Sequence, residues 1–181
     1  MNGIVRRKEF VEPIEGAQPE IARFLYGLEL SRKRTNALLD TVDPASLDWL
    51  PDWALHSIGT LLYHIALVEA DWLYVEILET PDEVSYDKLV KPLLPYPMRT
   101  GNALTPVTGR SLDEHRQVLN EVRRRLLDTF KAMSIGEFRR VRTLEETDVT
   151  PEWVLFHLTQ HEAEHRSEIA VLQTQFKLLR N

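Results

Sequence analysis

The chain has 181 residues, 43% of them hydrophobic, enough for a single domain over residues 1–181 that buries a core of its own. A formal net charge of −6 argues against a broad cationic face for phosphate backbones, and the lack of cysteine excludes a disulfide framework, a thiolate metal site and a cysteine nucleophile. No run approaches the roughly 20 apolar residues of a membrane span, and the N-terminus MNGIVRRKEF has no apolar signal core. The expectation is a soluble, cytoplasmic protein with neither nucleic acid nor membrane as a partner.

Four segments carry a helical period. The first is predicted from Pro19 to Leu39, where Ile21, Phe24, Leu25, Leu28 and Leu39 return to one face, and it stops before the turn signal Asp43-Pro44. The second runs from Ser57, a good N-cap, to Leu78, with Ile58, Leu61, Ile65, Val68, Trp72 and Val75 on one stripe, and Thr80-Pro81 closes it. About thirty residues follow that contain Pro81, Pro92, Pro95, Pro97, Gly101, Pro106 and Gly109, too many breakers for a continuous element. Ser111 with Glu114 three residues later is a capping-box signature and starts the third helix, which runs to Met133. Arg123, Arg124 and Arg125 are placed on its outer, solvated face rather than in a nucleic-acid patch. Phe138 to Leu144 alternates weakly, as a short strand or plain loop. Thr150 as N-cap and Pro151 at the first helical position open the fourth helix, which reaches Leu179. The fold predicted is all-α, a four-helix bundle with long connections. The longest of them carries the chain back along the bundle, so helices 2 and 3 run parallel.

Chemistry concentrates on the fourth helix. His157, His161 and His165 recur every fourth residue, and since a helix turns about 100° per residue they drift only about 40° per step and form one stripe. That stripe also carries Val154, Leu158, Leu172 and Phe176, so the imidazoles face the core. Buried imidazoles need a partner for each ring nitrogen, and a metal ion supplies one per ring. His161-Glu162-Ala163-Glu164-His165 also reads as H-E-x-x-H, the zinc-protease pattern, but the chain offers neither a clear sheet for a substrate strand nor a further downstream histidine. A ligand is available upstream instead. His64 lies to one side of the apolar stripe of helix 2, still facing inward, and bundle cores build metal sites from facing helices.

Two segments carry a resemblance. Ser57-Ile-Gly-Thr-Leu-Leu-Tyr-His64-Ile-Ala-Leu-Val-Glu69, within Trp53 to Trp72, resembles the second helix of DinB-like proteins, and Leu155 to Leu172, with His165-Arg166-Ser167-Glu168-Ile169, resembles their fourth. Helix number, order and the long middle connection agree as well. The resemblance implies a bundle with one divalent metal ion in an open pocket, held by His64, His161 and His165; His157 matches no ligand and is read as a core group or a support for one. The usual Gly and Gln after the last histidine and arginine are Ser167 and Glu168 here. Glu168, one turn past His165, is the candidate catalytic residue, able to hydrogen-bond a ligand imidazole, bind the metal or act as a base.

Three imidazoles with an open position suit zinc or nickel and a Lewis-acid centre that activates water, a thiol or a carbonyl. The better understood DinB-like members resemble thiol-dependent enzymes, which implies a transferase joining a low-molecular-weight thiol to a small-molecule electrophile. Two other readings stay open: a metal-dependent hydrolase with Glu168 or Glu69 as base, and a non-catalytic stress-response or interaction protein whose metal is structural. Trp53, Trp72, Trp153 and the Pro92 to Pro97 loop are candidates for a pocket wall, and the resemblance is compatible with a homodimer.

Overall fold

The computed structural model describes residues 9–81 and 84–180. It is all-α in its main elements. Helix α1 (Pro19–Leu39) opens on Pro19, whose missing N–H has no partner to lose there, and buries Ile21, Leu25, Leu28 and Leu39. Helix α2 (Ile58–Asp71) starts where the Ser57 hydroxyl accepts from Thr60 N–H at 3.3 Å. It continues through wider, π-type turns over Trp72–Ile77. It ends with Glu79 in the left-handed region (φ 50°), where Thr80 N–H reaches back to the Tyr74 carbonyl at 3.0 Å.

Helix α3 (Leu112–Ala132) carries the capping box in full: Ser111 accepts from Glu114 N–H while Glu114 accepts from Ser111 N–H at 2.7 Å. A single turn, α4 (Ile135–Phe138), follows, capped by Ser134 and placing Phe138 against Phe24 and Phe130. Thr150 then caps α5 (Pro151–Leu178), the longest helix. The connections hold short helical turns at Pro44–Ser46 and Ser85–Val90 and two antiparallel ribbons, β1 (Arg99–Thr100) with β2 (Ala103–Leu104) and β3 (Arg142–Thr143) with β4 (Asp148–Val149). The stretch read as strand or loop thus begins in α4 and passes into β3.

Side-chain pairs give each helix its direction. Gly59 lies against His115, Glu69 binds Arg123 and Tyr74 meets Arg125, so residue numbers rise together along α2 and α3 and the two run parallel. Ser31 meets Thr159 and Arg166, and Thr41, just past α1, meets Gln173 and Lys177, so α1 and α5 are parallel too. Arg123 on the Leu28 carbonyl and Arg32 on the Leu119 carbonyl set α1 against α3 in opposite senses. His64 facing His161, with Trp72 facing Trp153, does the same for α2 and α5. The helices form a ring, α1–α3–α2–α5, around a shared apolar core.

At the middle of that core lies a four-charge network. Arg32 donates to Glu162 at 2.8 Å and to Glu69 at 3.1 Å; Arg123 donates to Glu69 at 2.7 and 2.9 Å and to Glu162 at 2.8 Å. All four residues are at most 4% exposed, one from each helix. This corrects the placement of Arg123 on the solvated face. Arg124 does stay exposed with Glu121 and Asp128, whereas Arg123 turns inward because two buried carboxylates await its guanidinium.

The long connection is fastened to α2. The Tyr63 hydroxyl accepts from Tyr96 N–H at 2.7 Å and donates to the Tyr96 carbonyl at 2.8 Å, and Thr60 Oγ1 accepts from Val107 N–H at 3.1 Å. The β1–β2 hairpin, with Gly101 at φ 63° in its turn, is strung between these two anchors. Among the described residues no helix is long and apolar enough to cross a membrane.

Candidate metal centre

α2 brings His64 and α5 brings His161 and His165 to one point. His161 Nε2 lies 3.2 Å from His64 Nε2 and 3.1 Å from His165 Nε2, and the available ligand atoms of the three residues all fall within 4.8 Å of one another. The rings meet at steep angles, 64°, 81° and 84°, so it is their edges that converge rather than their faces. A ring nitrogen carries either one hydrogen or one lone pair, so His161 Nε2 cannot complement both neighbours by itself. A cation can. Ligand bonds of about 2.0–2.1 Å in a tetrahedron set nitrogens about 3.3 Å apart, close to the spacings seen.

The electrostatics favour lone pairs. Burial, with His165 and Arg99 behind it, holds His64 down to about 4, and burial with His165 and His64 holds His161 down to about 3. Both imidazoles are therefore neutral near pH 7, the form that coordinates a metal. Glu168 Oε1 lies 3.1 Å from His165 Nδ1, the carboxylate–imidazole contact that fixes a ring so that its other nitrogen faces a metal. Of the three contacts foreseen for Glu168, the geometry displays the hydrogen bond to an imidazole, and the half-exposed carboxylate sits at the rim. His64 Nδ1, in contrast, is buried with no hydrogen-bond partner among the described residues.

His157 lies outside the cluster. Its ring stacks on Trp153 at 5.0 Å and meets Trp72 edge-on at 5.5 Å, so it supports the flank of α5. The H-E-x-x-H pattern loses its general base: both oxygens of Glu162 are bound to arginines, and although burial opposes ionisation, Arg32 and Arg123 hold its pKa below the usual range. Glu69 is likewise committed to the two arginines, which removes it as a base. Of the proposed wall residues, Trp53 borders a recess beside the cluster, Trp72 and Trp153 pack on each other, and Tyr96 of the Pro92 to Pro97 loop packs on Tyr63.

The open side of the cluster is bordered by residues that sequence reasoning missed: His56, Arg99 and Asn102 line one cavity with His64, His165 and Glu168. Arg99 and Asn102 flank a Thr-Gly turn, whose signal marks a reversal of the chain but not where the reversal lies. His56 precedes the Ser57 cap and belongs to no periodic stripe.

None of the curated proteins matches the sequence. The family model described as the DinB superfamily matches residues 27–169, a span that includes all three clustered histidines and Glu168. With a helical ring that carries a His64, His161, His165 cluster and a match across most of its length, the chain belongs to the DinB superfamily.

Proposed function

We propose that this protein is a metal-dependent enzyme that holds one divalent ion, zinc or nickel, on His64, His161 and His165 and transfers a low-molecular-weight thiol to an electrophilic small molecule. The observation that carries the reading is the convergence of three imidazole nitrogens beside an open cavity. A divalent ion held there acts as a Lewis acid and lowers the pKa of a thiol or water at its open position. Three nitrogens from two helices occupy one side and leave the cavity side free, the layout of a catalytic rather than a closed structural site. Glu168 orients His165 and also borders the cavity, which makes it the carboxylate placed to take a proton from an incoming thiol. The thiol comes from outside, since the chain has no cysteine.

The test is thiol consumption by zinc- or nickel-loaded protein with a panel of electrophiles. Loaded protein that consumes no thiol but hydrolyses esters or amides would replace this reading with metal-assisted hydrolysis. Loss of the helical fold on stripping the ion with chelator would mark the ion as structural.

A further inference from the structure

Two adjoining hollows lie beside the histidine cluster. The first, about 450 Å³, is bordered by His64, His165, His56, Glu168, Arg99 and Asn102. The second, about 380 Å³, shares Leu55, His56 and Glu168 with it and adds apolar walls from Trp53 and Val171. Both are of the size that takes a small ligand. Trp53, Leu55 and Val171 are 58%, 85% and 51% exposed, and apolar side chains left in water around a hollow mark a place for an apolar group.

The polar hollow has a cation to offer. Among the described residues Arg99 has no ion-pair partner; its Nη1 donates only to the Asn102 carbonyl, at 3.0 Å. Among the described residues Glu168 is the one acidic group that lines both hollows, and it contacts His165 Nδ1 rather than pairing with Arg99. Arg32 and Arg123, by contrast, are saturated by carboxylates. Arg99 is also held in place from behind, because the clasp of Tyr63 on Tyr96 and of Thr60 on Val107 fixes both ends of its hairpin to the helix that carries His64.

We propose that the polar hollow receives a carboxylate on Arg99 and Asn102 while the ligand's reacting group lies at the three histidines, and that the Trp53–Leu55–Val171 recess receives an apolar group. This rests on the thiol reading above, and makes the thiol a carboxylate-bearing one. A guanidinium grips a carboxylate through charge-assisted, two-pronged hydrogen bonds that a neutral alcohol cannot match.

The experiment is calorimetric titration of zinc-loaded protein with ω-mercapto carboxylates of about three to six carbons, each against the ω-mercapto alcohol of equal length and the carboxylate that lacks sulfur. At the best length the mercapto acid should bind roughly tenfold or more tightly than its alcohol. Arg99→Gln should abolish that preference and Arg99→Lys restore part of it. Equal affinity of acid and alcohol at every length, or a preference that survives Arg99→Gln, overturns the proposal, as does the absence of binding by every probe. Sulfur-free carboxylates that bind as tightly as the mercapto acids, and lose that affinity in Arg99→Gln, uphold the carboxylate site while the thiol reading falls. An ω-mercapto acid that also carries a benzyl branch should bind more tightly than the unbranched acid, and Trp53→Ala should weaken the branched acid alone, by roughly threefold; an unchanged affinity of the branched acid overturns the assignment of the recess.

Discussion

Two polar clusters sit inside this bundle, and they are built on opposite terms. The Arg32, Glu69, Arg123 and Glu162 network draws one residue from each long helix, and its charges meet in equal number with every carboxylate oxygen bound. The His64, His161, His165 cluster draws on two helices, gathers groups of one kind, and leaves a ring nitrogen facing two like nitrogens. Adjacent residues on α5 serve both: Glu162 turns to the closed network and His161 to the open cluster. A closed set of charges secures the relative placement of helices, and an open set of imidazole nitrogens could hold a metal ion. The difference separates what holds the molecule together from what it can act with.

The largest expected effect breaks the closed member. Arg123→Met leaves Glu69 and Glu162 buried with too few partners, and denaturant unfolding should show a loss of about 3–5 kcal/mol. A loss below 1 kcal/mol would mean that water reaches these carboxylates. Next comes the open member. His64→Ala, His161→Ala and His165→Ala should each lower zinc affinity by more than about 100-fold by competition with a chromophoric chelator, a larger loss than the removal of a group that merely supports a ligand. In the metal-free protein the same changes should leave the melting temperature within a few degrees of the parent, because the network and core stay intact. Full metal retention in any one variant would take that residue out of the site. The smallest effect is expected for Glu168→Gln, which keeps the shape but weakens the contact to His165 Nδ1; zinc affinity should fall roughly 10-fold. A loss as large as that of a histidine would make Glu168 a ligand in its own right.

Local rules located the helices well because each boundary has a residue-level cause. Pro19, Ser57, the Ser111–Glu114 box and Thr150-Pro151 all stand at the starts they announce. The three clustered histidines were legible only in part by such rules: His157, His161 and His165 share one stripe and His64 faces inward from another helix, but it is the resemblance that separates His161 and His165 from His157. Arg123 was misplaced because a run of three arginines looks alike in sequence, and only the carboxylates of two other helices single out the middle of the bundle. Glu162 was ambiguous for the same cause: a letter in a motif acquires its role from partners far along the chain. The wall made by His56, Arg99 and Asn102 was out of reach, since it depends on where a connection rich in proline and glycine comes to rest.

The Tyr63 clasp bears on how such a protein can change. Tyr63 and His64 are neighbours on one helix, one gripping the connection and the other facing the centre. The clustered histidines lie on helices whose other faces are committed to the core, while the opposing wall belongs largely to a segment tied down at a few points. Replacing the residues between those ties would recut the shape offered to a ligand and leave the histidines where they are. Under the proposed function, selectivity and reactivity would lie on different stretches of the chain, kept in register by the hydroxyls of Tyr63 and Thr60.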